Sequence, residues 1–365
     1  MAARGRPRIL IDALAYDPHD GGFATALRGV LDSCREIPEI EFVVAHHTSH
    51  GDYFESLGLG SVSLVFPYKL RFFASFAYLP WLARTLEADA VHCEISALPV
   101  GLGVPGSVTA HDLYFMSQPE SAGRSVARRF TTEIYWRRLF VRSLKRATVV
   151  KAISETTGDD IRRLHESANV TVISPRIETE CGPPSERRWP ADGEPLRILF
   201  LGSVVPRKNL ELLLEALKLV DREWRLDIAG NLWWGKEVLD EAAGDPRIEV
   251  HGYVEDAERD LLLDRCHVLV APSLYEGFCY PVAEAMTRGA LVLTSDISAF
   301  REYVPDECRF DIFGPEPLAA ALSALSCESY ERLRGLCRTA AQRFTPAAHV
   351  EAHRRLFSEL AGVTA

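Results

Sequence analysis

The sequence predicts an α/β protein of two doubly wound domains, and three observations carry that reading. Short apolar, β-rich runs recur along the chain and alternate with segments of helical period, the order that builds parallel βαβ units. The length of 365 residues exceeds one ordinary core and fits two domains of conventional size. Pro175 to Pro195, rich in proline, glycine and charge, breaks the alternation and reads as the linker. The expected division is residues 1–180 and 181–345, with 346–365 as a terminal helix.

In the first half, Arg8–Ala13 reads as a strand, Asp17–Gly22 as a loop and Phe23–Cys34 as a helix. No G-x-G-x-x-G follows Gly21-Gly22, so a dinucleotide site is not expected. Glu41–Ala45 and Ser61–Phe66 are further strands. Lys69–Leu86 mixes aromatics with basic residues and is interrupted by Pro80; core packing or acceptor lining explains it, with weak peripheral membrane contact as the second reading. Ala90–His92 and Ser107–His111 are short strands, and His111 stands at the tip of the second, placed for a catalytic or ligand role or, as a lone histidine more often is, for a structural one. Arg124–Ala147 predicts a long amphipathic helix with Phe130, Ile134, Val141 and Leu144 on one face. The other face is basic, either simply solvated or attractive to anionic lipid or acceptor. Thr148–Ile153 returns to strand, and Ser154 can cap the next helix.

The second half opens on strand Leu196–Leu201 and a loop ending Pro206-Arg207-Lys208-Asn209, with Asn209 as N-cap of a helix from Leu210 to Val220. Arg207 and Lys208 stand where a strand ends and a helix begins, which favours a diphosphate. Arg225–Ala229 and Ile248–Val250 are strands. His267–Ala271 and Ala290–Thr294 are two more, flanking a loop and short helix with Pro281 at its first position and Gly289 just past its end. Glu284 falls in the first turn, where a carboxylate can accept from two vicinal hydroxyls, as a ribose presents. Glu276 lies in the loop, and Gly277 beside it lets backbone N–H groups approach a ligand. Phosphate between two polyols describes a nucleotide sugar. The final helix runs from about Pro346 to Leu360.

Composition narrows the classes. Hydrophobic content of 47% and charged content of 25% are globular values, and a net charge of −10 argues against nucleic acid as a partner. Eight cysteines without a C-x-x-C pair read as buried small hydrophobes in a reducing compartment, not zinc ligands or disulfides. Cys279 has no His or Asn at nucleophile spacing. Neither a signal peptide nor an apolar window of membrane length is evident, so the expected location is the cytoplasm, with the inner membrane surface as an extension of it.

The run Glu276-Gly277-Phe278-Cys279-Tyr280-Pro281-Val282-Ala283-Glu284-Ala285-Met286 resembles the E-x7-E motif of retaining GT-B glycosyltransferases, especially family 4. VTAHDLYF with the later Pro119-Glu120 resembles the T-x-H-D-L segment of a branch of that family, and AISETTGDDI its A-x-S-x-x-T/S segment. Residues Gly202 to Asn209 resemble G-x-x-x-P-R-K-N, with Ser203 where some members carry Arg, while AGNLWWG matches only loosely and Ser174-Pro175-Arg176 replaces a common N-G turn. The resemblance implies two Rossmann-like domains facing an interdomain cleft, the C-terminal helix crossing back to the first. It implies transfer of a hexose-type sugar from a nucleotide diphosphate sugar to an acceptor hydroxyl, with retention. By the same resemblance Gly22 approaches the donor phosphates, Glu276 with the backbone of Gly277 and Phe278 holds the sugar, and His111 lies beside it. No D-x-D cluster accompanies the motifs, so neither metal nor another cofactor is expected. The acceptor is a small molecule, a lipid-linked glycan or a polysaccharide. An epimerase or hydrolase of the same fold, and a silent partner of another transferase, remain the alternatives.

Overall fold

The computed structural model describes residues 5–114, 137–177, 188–191, 193–231, 236–242 and 244–363. The chain forms two compact units: residues 1–176 joined by 346–365, and residues 177–345.

The first unit is built on seven strands: β1 Arg8–Ala13, β2 Glu41–His47, β3 Gly60–Leu64, β4 Ala90–Cys93, β5 Gly106–Ala110, β6 Val149–Ala152 and β7 Val170–Val172. They lie in the order β3-β2-β1-β4-β5-β6-β7, every pair parallel. A parallel sheet is covered on both faces, so its strands are apolar without alternation. Ile9, Leu10 and Ile11 of β1 are all fully buried. Ile9 and Ile11 join one core with Phe42, Leu27 and Leu31, while Leu10 joins the other with Val43, Leu79, Leu82 and Phe140. The helix Gly21–Arg35 and the C-terminal helix Pro346–Ala361 cover the first face; Arg71–Thr85, Arg137–Leu144 and Glu155–Leu164 contribute to the second.

Two helical expectations change. Arg71–Thr85 runs unbroken through Pro80, which is buried, and the Arg84 guanidinium donates to the Pro80 carbonyl at 3.0 Å. Of the long basic helix, Arg137–Leu144 is observed with Phe140 and Leu144 buried; its expected start, like Pro119-Glu120 and most of the linker, lies outside the described residues.

The second unit carries β8 Leu196–Leu201, β9 Trp224–Ala229, β10 Ile248–Gly252, β11 Val268–Ala271, β12 Leu291–Ser295 and β13 Arg309–Phe310. Their order is β10-β9-β8-β11-β12-β13, again parallel throughout. Both sheets are doubly wound. The strand order reverses between β1 and β4 in one and between β8 and β11 in the other, and ligands of open α/β sheets sit beyond the strand ends at such a reversal.

Candidate functional site

In the second unit, the loops leaving β8 and β11 meet at the reversal. Leu274 N–H donates to the Arg207 carbonyl at 2.7 Å, tying the two turns together. Residues Pro206–Lys208 form a single 3-10 turn, and Asn209 turns left-handed (φ 54°) with no side-chain capping bond, so it starts the helix Leu210–Lys218 without the expected cap. That reversal aims Lys208 inward. Its Nζ lies 2.6 Å from Glu276 Oε1, Arg207 Nη1 donates to Glu276 Oε2 at 2.8 Å, and Ser273 Oγ donates to Oε1 at 2.6 Å. Glu276 is buried with three donors already in place. Burial alone would push its carboxyl up, but Lys208, Arg207 and Ser273 override that and hold it down at about 2. Burial likewise opposes the Lys208 charge, and Cys279 and Glu276 overcome it, raising the ammonium above its usual value.

The sequence reading separated the cations from Glu276 by function; the structure brings all three into one ion cluster. Two cations against one carboxylate leave a net positive charge, which suits an anion. The Phe278 side chain is buried, stacked on Tyr303 at 5.0 Å, and its carbonyl accepts from the Tyr303 hydroxyl. The carbonyl is thereby used, and what the Gly277–Phe278 backbone retains for a ligand is its N–H groups. Cys279 (φ 80°) closes the loop with its thiol 3.8 Å from Lys208 Nζ, and burial lifts that thiol to about 11.

The helix after the loop is Tyr280–Thr287, with Tyr280 first and Pro281 second. Glu284 is therefore its fifth residue, just beyond the first turn. Gly289 (φ 74°) ends the helix: Ala290 N–H donates to the Ala285 carbonyl and Gly289 N–H to that of Met286, the Schellman pattern. The Glu284 carboxylate is half-buried and makes no hydrogen bond among the described residues; Arg259 Nε stands 3.8 Å away. Burial raises its carboxyl, with Arg259 and Arg288 opposing. An acceptor held this way has lone pairs to offer a diol.

In the first unit, Gly21 (φ 38°) and Gly22 open the helix Gly21–Arg35, both exposed, beside the strand reversal. His111 follows β5, with Nε2 at 2.9 Å from the Glu94 carbonyl and its ring edge-on to Phe23 at 5.8 Å. His111 and the helix start bearing Gly22 are thus neighbours. Glu94, one residue past β4, escaped the sequence reading; a carboxylate closing the apolar run Ala90–Cys93 was the available signal.

Among the described residues, Asp227, Glu249 and His251 form a group of metal-ligand type on β9 and β10, where Arg265 already pairs with Asp227 at 2.8 Å.

Two family models match the chain: Glycosyltransferase Family 4 over residues 39–180 and Glycosyl transferases group 1 over residues 195–327. The chain belongs to the family 4, group 1 glycosyltransferases. This glycosyltransferase is 27% identical to O-antigen chain mannosyltransferase B of Escherichia coli over 219 residues, spanning 54% of the chain and about half, 55%, of that relative. It is 26% identical to a GDP-mannose-dependent alpha-mannosyltransferase of Mycolicibacterium smegmatis, over 88% of the chain and 89% of the relative. Its fold matches Anabaena HepE, solved with UDP and glucose, at a TM-score of 0.74 and 15% identity over 97% of this chain and all of that one. The enzyme's two sheets are the GT-B fold.

Proposed function

We propose that the enzyme transfers a hexosyl group from a nucleotide diphosphate sugar to an acceptor hydroxyl with retention at the anomeric carbon. The observation that carries this is the pairing, at one strand reversal, of a net positive cluster (Arg207, Lys208, Glu276) with a half-buried carboxylate free to accept (Glu284). The cations neutralise the departing diphosphate, a preorganised electrostatic contribution that is commonly the largest in catalysis. Glu284 takes the ribose diol. Glu276 and the N–H groups of Gly277 and Phe278 meet the sugar. The anomeric carbon–diphosphate bond breaks as the acceptor oxygen bonds on the same face, and the acceptor proton passes to the leaving phosphate oxygen. Lys208 and Arg207 carry the charge a metal would otherwise carry, so chelator leaves the rate unchanged.

Mannose is the first sugar to test, because the relatives named above are mannosyltransferases; the acceptor is a small molecule, a lipid-linked glycan or a polysaccharide. The protein is incubated with GDP-mannose, UDP-glucose and related donors, with and without glycan acceptors, and product anomers are assigned by NMR. Acceptor-dependent α-linked product is expected. Turnover without acceptor would make it a hydrolase or epimerase. Equal donor binding by wild type, Lys208→Ala and Glu284→Ala in calorimetric titration would overturn the site.

A further inference from the structure

Beneath His111 lies a buried ionic network that the proposed reaction does not use. The fully buried Glu94 carboxylate accepts at Oε2 from His92 Nε2 (2.9 Å) and Thr109 Oγ1 (2.8 Å), and Lys151 Nζ donates to both its oxygens at 3.1 Å. Lys151 Nζ also lies 3.3 Å from Nε2 of His353 on the C-terminal helix. The other ring nitrogen of His353 donates to the His349 carbonyl, so Nε2 is the acceptor and the lysine is the donor. His92 Nδ1 lies 2.8 Å from Ser107 Oγ and completes the arrangement. Burial opposes the charge on Glu94, and Lys151, His92 and His111 more than compensate, holding its carboxyl well below the ordinary range.

Groups from β4, β5 and β6 thus converge on one side chain, Lys151 linking it to the C-terminal helix, and the same residue meets His111 through its carbonyl at 2.9 Å, with its Oε1 farther off at 3.6 Å. A carbonyl only accepts, so the 2.9 Å contact from His111 Nε2 to the Glu94 carbonyl requires the proton on Nε2. In the neutral ring Nδ1 is then the lone pair.

We propose that Glu94 is a positioning residue for His111: the donors on its carboxylate fix its carbonyl, the carbonyl holds the imidazole as the Nε2–H tautomer, and Nδ1 accepts a hydrogen bond from a hydroxyl of the transferred sugar. The last step rests on the reading of His111 as a sugar contact; the tautomer does not. Thr109 and Lys151 serve through Glu94 and touch no substrate.

The test is side-chain 15N NMR on protein labelled at histidine, with His111 identified by the signal lost in His111→Gln. The wild-type ring is expected as Nε2–H in the absence of donor. Glu94→Gln sets an amide against the Lys151 ammonium, and Thr109→Val removes one donor at constant shape. Both are expected to populate the Nδ1–H form and to lower kcat/KM for GDP-mannose, about tenfold for Glu94→Gln, the size of one hydrogen bond lost in the reacting complex, and less for Thr109→Val. Thr109→Val alone decides if Glu94→Gln does not fold. An Nδ1–H ring in wild type, or an unchanged ring in the folded variants, overturns the positioning role. A shifted tautomer with unchanged kcat/KM overturns the Nδ1–sugar contact. A wild type that turns over no donor sinks the functional reading, while the NMR result still decides on Glu94.

Discussion

Glu276 and Asp12 show opposite outcomes for a buried carboxylate. Glu276 has two cations and a hydroxyl; held at about 2, below its unfolded value, it stabilises the fold above the unfolded pKa, and that contribution is lost as pH falls from about 4.5 toward 2. The contribution is on the order of 3 kcal/mol. Lys208→Met removes the nearest partner and should cost about 3–5 kcal/mol, read as a lower urea midpoint at pH 7, together with loss of nucleotide-sugar binding in titration. Asp12, on β1, accepts from Leu14 N–H at 3.1 Å, and its other polar neighbour, Ser75, stands beside an Oδ2 that has no full hydrogen bond among the described residues. Burial raises its carboxyl to about 6. Its sign is reversed: the protonated form favours folding, and stability is lost as pH rises from about 4 through 6. Asp12→Asn should therefore raise the unfolding free energy from urea titration at pH 8 by up to about 3 kcal/mol and much less at pH 5. The motif residues were legible because strand, loop and helix signals flank them within a few positions. Glu94 was not, because its partners Lys151 and the Lys151-bound His353 are far away in sequence, 57 residues on and then 202 more.

At the scale of the element, the buried parallel strands were readable from their apolar runs, and their ends fall close to the expected ones. The short β7 was missed, since its residues are only half-buried and flanked by polar chain. Asn209 looked like a cap because its type favours one; instead it takes the left-handed turn that asparagine tolerates better than most residues, with no capping bond. Gly230 is a similar case. At φ 139° the backbone is in a region open only to glycine, and a Cβ there would overlap the Gly202 carbonyl oxygen in the turn that carries Lys208. Gly230→Ala should cost at least about 2 kcal/mol in strain and weaken nucleotide-sugar binding more than Gly252→Ala, which at φ 71° carries backbone strain too but whose Cβ meets nothing within 4 Å. Calorimetric unfolding and donor titration of the two variants check this.

For the whole molecule, both doubly wound sheets were legible, and the strand order sets the motif loops of each unit at its reversal. No helix among the described residues is long and apolar enough to cross a membrane. The first unit is assembled from the two ends of the sequence. Phe357 of the C-terminal helix is fully buried against Phe42 at 5.1 Å and His92 at 5.4 Å. Phe357→Ala should cost about 3–5 kcal/mol and lower the unfolding transition of the first unit more than that of the second, resolved by hydrogen exchange of β1 and β2 against β8 and β9.

Because residues 177–345 separate that helix from its sheet, a ribosome must add them all before the helix exists. At about 5–20 residues per second the wait is roughly 10–30 s. Throughout it the apolar surface that Phe357 later covers, Phe42 among it, stays open to solvent. Synthesis rate, and not only sequence, thereby becomes a determinant of how much enzyme a cell recovers.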